Sequence, residues 1–307
     1  MSSAKSPAEE AVPKIELRSL DELWFQVSGT VCNLTCRHCF ISCSPHNHSF
    51  EFLTLPQVES ALTESVAYGV REYYFTGGEP FLNRDLVPML QHTLQYGPAT
   101  VLTNGTTLKP EWLRELRRAE DESGFSLELR VSIDGPTPAI NDPVRGEGTF
   151  ERAMKGVELL CEHDFLPIIT MTQTWDDAES AEILDQFRRV LKNHGCERPR
   201  LKILPRLRIG AEEKRTEGYQ STERITQQMM DGFDRDQLLC HHSRVVTNRG
   251  VYVCPILLEA SDGKMGDTLA DSQGEFPLSH GACYTCYQYG AICTNSTLRN
   301  QTASIEA

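Results

Sequence analysis

The sequence predicts an α/β fold in which βα units form a mainly parallel sheet. Strand-like and helix-like segments alternate about six times between residues 22 and 208, and polar or glycine-rich turns follow the strand-like segments. Within each segment the apolar residues recur at the period that its structure requires. This alternation is typical of βαβ units. Six units are fewer than a closed eightfold barrel has, so the pattern favours an open or partial barrel or a doubly wound sheet.

The elements follow from local patterns taken in order. Strands are predicted at 23–27, 72–76, 99–105, 125–135, 166–174 and 199–207. Helices are predicted at 55–69, 84–95, 110–120, 149–163 and 178–194. The first helix shows the basis, because Val58, Leu62 and Val66 recur at helical spacing before Gly69.

The sequence pattern changes after these βα units. The charged segment 210–236 is predicted to be a linker with one helix at 221–231, and 244–255 reads as strand-like pieces around glycine turns. We therefore divide the chain into four parts. They are a flexible tail at 1–20, the βα domain at 21–210, a linker with a helix at 211–236, and a small cysteine-rich domain with its tail at 237–307.

Composition narrows the classes of function. The net charge of −13 argues against nucleic acid as the main partner, since phosphate binding needs a basic surface. No apolar run is long enough to predict a membrane span, and the polar amino terminus lacks the apolar core of a signal peptide. We expect a cytoplasmic protein.

The cysteines indicate metal chemistry. The chain has eleven, which in a reducing compartment favours metal binding over disulfides. Nine of them fall in two groups, within 32–43 and 240–293, whereas Cys161 and Cys196 stand apart and are read as ordinary residues of the fold.

The first group has three cysteines, Cys32, Cys36 and Cys39, at C-x3-C-x2-C spacing directly after the first strand. A cubane iron–sulfur cluster has four irons, so three thiolates leave one iron open. The alternative is a closed zinc site completed by Cys43. Spacing alone does not separate the two. Strand ends at 77–80, 103–105, 132–135 and 172–174 are expected to converge on this loop.

The motif Cys32, Cys36, Cys39 followed by Phe40 resembles the signature of the radical S-adenosylmethionine (radical SAM) enzymes. Gly77-Gly78-Glu79-Pro80 resembles the glycine turn that ends the second strand in that family. VSIDGP (131–136) with NDPVRGEGTF (141–150) resembles its fourth-strand region. The likeness covers about residues 22–208 and implies a partial (β/α)6 TIM-type barrel followed by a small cysteine-rich C-terminal domain.

The resemblance implies roles for particular residues. The three cysteines would hold a [4Fe–4S] cluster whose open iron binds SAM, and the glycine turn would meet the methionine amino group. Ser132 and Arg145 are candidates for the carboxylate and ribose, since a guanidinium suits a carboxylate. The full set of candidate SAM contacts is Phe40, Gly77, Gly78, Glu79, Pro80, Asn104, Ser132, Asp134 and Arg145.

The second cysteine group fits a zinc ribbon or a second cluster by spacing alone. In context it resembles the SPASM domain, or its shorter form Twitch, which implies one auxiliary [4Fe–4S] cluster on Cys240, Cys254, Cys283 and Cys286. Cys293 either replaces one of these or is free. The gap before Cys293 is six residues rather than five, and Thr297 stands where a further cysteine would follow.

The resemblance implies an enzyme that cleaves SAM to a 5′-deoxyadenosyl radical and takes a hydrogen atom from a small molecule or a peptide. An electron donor such as flavodoxin or ferredoxin is expected. About 20 residues precede the first strand, too few for an added peptide-binding domain, which favours a small molecule or a peptide delivered by a partner. The alternatives are a zinc-binding structural protein and a relative that binds SAM without cleaving it.

Overall fold

The fold is described from a computed structural model, in which residues 11–290, 292 and 293 are described. The strands are β1 (Lys14–Ile15), β2 (Glu22–Gln26), β3 (Glu72–Thr76), β4 (Ala99–Thr103), β5 (Leu127–Ser132), β6 (Ile168–Thr172), β7 (Arg200–Leu204), β8 (Ser243–Thr247), β9 (Gly250–Tyr252), β10 (Lys264–Gly266) and β11 (Phe276–Pro277). The helices are α1 (Leu55–Ser65), α2 (Leu86–Thr93), α3 (Pro110–Glu122), α4 (Pro138–Arg145), α5 (Thr149–Glu162), α6 (Ser180–Asn193), α7 (Ala211–Thr216), α8 (Gln227–Met230) and α9 (Gly281–Tyr289). Short 3-10 turns lie at Val66–Tyr68, Pro80–Leu82, Asp177–Glu179, Arg235–Gln237 and Leu239–His241.

The predicted α/β class and parallel sheet are confirmed. Strands β2 to β7 pair side by side in parallel, in the order of the chain, and helices connect them as in a partial (β/α)6 barrel. The register is continuous, with Phe25 opposite Phe75 and Phe75 opposite Val101. Because the strands are parallel, their carboxyl ends share one edge of the sheet.

Helices cover the sheet with their apolar faces. In α5, for example, Phe150, Met154, Val157 and Leu160 are buried, as the helical spacing predicts. On the other face of the sheet Trp24 stacks on Tyr74, with ring centroids 4.2 Å apart. The aromatic pair belongs to the same apolar cluster as Cys32 and Cys43, so the cysteine loop packs on this face of the sheet.

The cysteine-rich part continues the same sheet. Strand β8 pairs in parallel with β2, and β9 and β10 add antiparallel strands, so the sheet, which has nine strands within the described residues, crosses the domain boundary expected at residue 237. Hydrogen bonds between β8 and β2 therefore tie the second cysteine group to the strand that precedes the first.

The structure differs from the expected elements in two segments outside the parallel strands. The tail expected at 1–20 is ordered from residue 11, because β1 pairs antiparallel with β11 and the side chains of Ile15 and Leu20 are buried. Residues 1–10 lie outside the described residues. The single helix expected at 221–231 is only the short α8, whereas α7 forms earlier in the charged stretch. None of the helices in the described ranges combines the length and the apolar character that crossing a membrane requires.

Candidate functional site

The first cysteine group lines a cavity of about 190 Å³ at the carboxyl edge of the parallel strands. We call it the front cavity. Its walls include Cys32, Cys36, Cys39, Cys43 and Cys293, with residues from the ends of β3 to β7 such as Gly78, Asn104, Ser132, Thr172 and Leu204. The strand ends that the sequence placed at one edge therefore meet around the cysteines.

The three motif cysteines are free thiols held by the loop that follows β2. The backbone N–H of Leu34 donates to Cys32 Sγ at 3.4 Å, and that of Cys43 donates to Cys39 Sγ at 3.2 Å. The thiol of Cys36 contacts the carbonyl oxygen of Arg145 at 3.9 Å. Backbone groups thus fix the sulfur positions before any metal binds.

Burial sets the protonation of these thiols. It raises the pKa of Cys32 to about 12 and that of Cys36 to about 11, because the charged form is poorly solvated. Cys39 differs, since hydrogen bonds from the Cys43 thiol and from the backbone N–H groups of Cys43 and Ile41 lower its pKa. Metal binding here would release protons from at least the first two thiols.

The glycine turn after β3 supports the cysteine loop directly. A Cβ on Gly78 would lie 2.1 Å from the carbonyl oxygen of Val31, and one on Gly77 would lie 2.1 Å from Ser28 Oγ. The backbone N–H of Gly78 donates to Gly29 O at 3.0 Å. Both glycines also line the front cavity. Close contact with the cysteine loop is therefore one physical reason for glycine at these positions.

Glu79 joins two strand ends behind the cavity wall. Its carboxylate is fully buried and accepts hydrogen bonds from Thr103 Oγ1 and the N–H of Asn104, each at 2.7 Å, and from the N–H of Phe81 at 3.1 Å. Burial raises its pKa despite these three donors. Among the expected SAM contacts, Glu79, Pro80 and Asp134 do not line the front cavity, and Phe40, Gly77, Gly78, Asn104, Ser132 and Arg145 do.

Asn104 connects the end of β4 to the cysteine loop. Its side-chain amide donates to Asn33 Oδ1 at 2.9 Å and approaches Cys32 Sγ at 3.7 Å. Its side-chain oxygen accepts from Thr106. Asn104, which the sequence predicts as a SAM contact, therefore also contacts Cys32, a candidate metal ligand.

A buried charge cluster lies beside the cysteines. The fully buried carboxylate of Asp134 contacts Arg145 Nε at 2.5 Å and His38 Nε2 at 2.9 Å, and it accepts the N–H of Thr172 at 2.6 Å. Burial alone would raise the pKa of Asp134, but Arg145 and His38 together hold it well below the ordinary range. His38 lines the cavity, and its buried Nδ1 has no hydrogen-bond partner among the described residues.

Arg145 lies at the end of a helix and is largely buried. It is the last residue of α4, a helix that the sequence reading missed because Pro143 lies inside it. The N–H of Arg37 donates to Val144 O at 2.8 Å, so the end of α4 rests on the cysteine loop.

Glu212 is a cavity residue that sequence reasoning also missed. Its side chain is only 1% exposed, and both carboxylate oxygens accept from Arg215, at 2.6 and 2.7 Å. The N–H of Ala211 donates to Cys39 O at 2.9 Å, which places α7 against the cysteine loop. Nothing in the charged run around it distinguishes Glu212 from a solvated residue.

The second cysteine group lines a separate apolar cavity, which we call the four-cysteine cavity. Its lining contains Cys240, Cys254, Cys283 and Cys286 together with apolar side chains such as Leu239, Ile256 and Phe276. Cys283 and Cys286 share one face of α9, since they are three residues apart. Burial raises the pKa of Cys240 to about 12 and that of Cys254 to about 11.

A buried arginine adjoins this cavity. Arg244 is 1% exposed, and its guanidinium donates to the carbonyl oxygens of Cys240 and Ser272 at 2.9 and 2.8 Å. Further bonds run to Ser243 and Gly274, but within the described ranges no carboxylate pairs with it. Burial lowers its pKa to about 10. A buried cation beside four thiols is compensated when the thiols become anionic ligands of a cluster.

Cys293 lies between the two cysteine groups, since its side chain packs against the apolar residues around both of them. It lines the front cavity, not the four-cysteine cavity, and its carbonyl oxygen accepts from Arg130 Nη1 at 2.9 Å. Thr297 lies outside the described residues. Among the described residues, no group of three or more His, Cys, Asp or Glu side chains is placed to hold a single metal ion. The described thiols of the two cysteine groups are distributed around two cavities.

Comparison with known proteins gives a consistent picture. The sequence profile of the radical SAM superfamily matches residues 27–187. An AdoMet-dependent heme synthase of Methanosarcina barkeri is 35% identical over 144 residues, which cover 46% of this chain and 39% of that protein. The mycofactocin maturase MftC of Mycolicibacterium smegmatis is 25% identical over 170 residues, 54% of this chain and 40% of that protein. This chain therefore spans about two fifths of the length of these relatives.

Solved structures share the fold. Native anSMEcpe with bound AdoMet superposes with a TM-score of 0.59 at 16% identity, over 82% of this chain and 79% of that one. Streptococcus suis SuiB bound to the precursor peptide SuiA superposes with a TM-score of 0.61 at 16% identity, over 84% and 66% of the two chains. At this identity the likeness concerns the fold alone.

Proposed function

Because this chain belongs to the radical SAM superfamily, as the match over residues 27–187 shows, we propose that Cys32, Cys36 and Cys39 hold its [4Fe–4S] cluster and that SAM binds in the front cavity. The observation that carries the proposal is the gathering of three free thiols and the strand ends around one cavity. When bound, the cluster supplies the electron that splits SAM into methionine and a 5′-deoxyadenosyl radical, which takes a hydrogen atom from the substrate.

The residues around the cavity have defined tasks in this proposal. Arg145, with its position fixed by Asp134, presents a guanidinium at the wall where the SAM carboxylate would lie. Ser132 and Asn104 offer polar groups at neighbouring strand ends, and the backbone of Gly77 and Gly78 borders the same space. Phe40 contributes an apolar wall that helps to exclude water.

The test of the proposed function is product formation. The reconstituted chain, incubated anaerobically with SAM and dithionite, is expected to release methionine and 5′-deoxyadenosine in equal amounts. A chain that carries an intact cluster and releases neither product is a SAM-binding relative without cleavage activity. A chain that binds only zinc and lacks the iron–sulfur charge-transfer absorbance is a zinc protein.

We also propose one auxiliary [4Fe–4S] cluster on Cys240, Cys254, Cys283 and Cys286. Four thiols in an apolar cavity give a closed donor set, and the buried Arg244 supplies a counter-charge for an anionic cluster. Iron and sulfide analysis is expected to give about eight irons per chain, four for each cluster. A fully loaded sample with about four irons contradicts the auxiliary cluster.

For the substrate we propose a peptide. A polar groove of about 570 Å³ shares Pro205 with the front cavity, and its lining includes Trp175, Asp177, Arg206 and Tyr289. Its polar lining residues offer hydrogen-bond partners to a peptide. MftC is named a maturase and SuiB is seen with a precursor peptide, which agrees with this choice. The electron would come from a donor of the flavodoxin or ferredoxin class.

The groove can be tested with peptides of defined sequence. Candidate precursor peptides, incubated with the loaded chain and SAM, are expected to raise 5′-deoxyadenosine formation and to show a mass change. Arg206→Glu is expected to weaken binding of an acidic peptide, because it reverses the charge of an exposed lining residue. Stimulation by small metabolites but by no peptide contradicts the peptide proposal.

A further inference from the structure

Cys43 is the fourth cysteine of the front cavity, and neither the family motif nor the donor set proposed above uses it. It is 6% exposed, and it lines the cavity together with Cys32, Cys36 and Cys39. Its sulfur is part of the apolar cluster that contains Trp24, Tyr74 and Phe50.

The backbone and the side chain of Cys43 both lie close to the sulfur of Cys39. The backbone N–H of Cys43 donates to Cys39 Sγ at 3.2 Å, and the neighbouring Cys43 thiol contributes to lowering the pKa of Cys39. Ser42, which lies between them, has a left-handed φ of +57° and donates its N–H to Cys39 O at 3.0 Å. This tight turn brings residue 43 back towards residue 39.

The position of Cys43 is also fixed from the other side. Val31 and Ser44 form an isolated parallel bridge, in which Cys32 N donates to Ser44 O at 3.1 Å and Ser44 N donates to Thr30 O at 3.3 Å. Cys43 is therefore held between the segment that carries Cys32 and the sulfur of Cys39. The residue has little freedom to move away from this contact.

Hydrogen bonds to the sulfurs of an iron–sulfur cluster are among the features that set its reduction potential. A donor stabilises the reduced cluster more than the oxidised one, because the reduced form carries one more negative charge on the same sulfurs. Cys39 would then accept from the backbone N–H and from the thiol of a single residue.

We propose that Cys43 is a positioning residue of the front site: its thiol donates a hydrogen bond to the Cys39 sulfur, orients that ligand and raises the reduction potential of the cluster, and it is not an iron ligand. The inference rests on the proposed function only for the presence of the cluster. It assigns a role that the three-cysteine motif does not specify.

The experiment compares the reconstituted native chain with Cys43→Ser, Cys43→Ala and Cys43→Val. Serine keeps a donor of similar size, whereas alanine and valine have none. Cys196→Ala is the matched control, since Cys196 is also a buried cysteine in contact with another thiol, Cys161, and lies outside both cavities. Iron content is measured first, and then the reduced fraction of the front cluster is followed by electron paramagnetic resonance during a potentiometric titration. Added SAM identifies the front signal.

We expect the Cys43 variants to keep the iron content of the native chain. We expect the reduction potential of the front cluster to be lower in them, and lowest where the side chain has no donor. At a fixed potential the ratio of reduced to oxidised front cluster should fall about tenfold in the alanine and valine variants, equal to about 59 mV for one electron. In the serine variant this ratio should fall by less, and in the Cys196→Ala control it should equal the ratio of the native chain.

Loss of about four irons in every Cys43 variant would make Cys43 a ligand and overturn the proposal. Equal potentials in the native, serine, alanine and valine proteins would overturn it as well. If alanine alone fails to accept the cluster, valine supplies the comparison without a donor. A native chain that forms no front cluster contradicts the proposed function itself, whereas equal potentials in loaded proteins contradict only the role of Cys43.

Discussion

Replacing Asp134 by asparagine tests the buried charge cluster that orders the front cavity. The native carboxylate is fully buried between Arg145 and His38, and it also accepts the N–H of Thr172. Asp134→Asn keeps the size and one acceptor oxygen, so the bond from Thr172 can persist. The substitution removes the negative charge and leaves Arg145, 11% exposed, without its partner.

The expected loss of stability follows from the burial of the ion pair between Asp134 and Arg145. Removing one partner of a buried ion pair costs about 3–5 kcal/mol, because the remaining charge stays desolvated. Since asparagine retains an acceptor, we expect the lower end, a decrease of about 3 kcal/mol in the free energy of unfolding. The exposed pair of Arg117 with Asp121 supplies the control, since Asp121→Asn should change stability by less than about 1 kcal/mol.

Urea unfolding of the reconstituted proteins under anaerobic conditions measures the difference in the free energy of unfolding. The native and variant proteins can be compared if their unfolding free energies depend on urea concentration with the same slope. The pH dependence has a definite sign. The folded-state pKa of Asp134 is lowered, so its contribution is complete above the ordinary aspartate pKa of about 3.9 and is lost as pH falls through the folded value. The gap between native and Asp134→Asn should therefore be constant from about pH 8 to 5 and narrow below about pH 4. A gap under about 0.5 kcal/mol at pH 7 refutes the argument, because the pair would then be solvated.

Three further substitutions test separate parts of the structure. Gly78→Ala should displace the cysteine loop, since the added Cβ would lie 2.1 Å from Val31 O. The SAM affinity of this variant, measured by equilibrium dialysis, should fall at least about tenfold. Gly124→Ala is the control, because its Cβ meets nothing within 4 Å, and it should leave the SAM affinity unchanged. Arg244→Met should lower the iron content towards about four per chain, because an anionic auxiliary cluster would lose its buried counter-charge, and retention of about eight irons contradicts this role. Ile15→Ala should lower the free energy of unfolding by about 2–4 kcal/mol, because a fully buried side chain of β1 is removed, and a neutral effect in urea unfolding shows that the β1–β11 pair contributes little.

Much of the fold could be predicted because its elements are long and strongly periodic. The stripe in α5 and the alternation in β5 specify both the type of element and its place in a parallel sheet. Since parallel strands end at one edge, the convergence of the cysteine loop with the ends of β3 to β6 followed from the pattern as well.

The elements that the sequence did not predict owe their structure to tertiary contacts. Helix α4 contains Pro143 and forms where its end docks on the cysteine loop. Strand β1 has only two residues and exists because β11 pairs with it. Helix α7 is short and charged, and the contact of Ala211 with Cys39 places it. None of these three segments has a local pattern strong enough to reveal its partner.

In the candidate site, too, local sequence patterns predicted some residues, whereas tertiary contacts bring others together. The cysteine spacing identified candidate ligands, because ligands on one loop are local in sequence. The pairing of Asp134 with His38 and Arg145, and the burial of Glu212, depend on segments far apart in the chain. Cys293 shows the limit most clearly. Its spacing grouped it with Cys283 and Cys286, whereas in the structure it packs against both cysteine groups and lines the front cavity.

We expect the site with three cysteines to react with SAM and the site with four cysteines not to react with it. The most direct measurement is 5′-deoxyadenosine formed from SAM and dithionite by Cys36→Ala and by Cys254→Ala, each normalised to the clusters that it retains. Cys36→Ala is expected to form no 5′-deoxyadenosine, whereas Cys254→Ala is expected to continue to cleave SAM in the absence of substrate. Formation of 5′-deoxyadenosine by Cys36→Ala at the native rate would show that the three-cysteine site is not where SAM reacts.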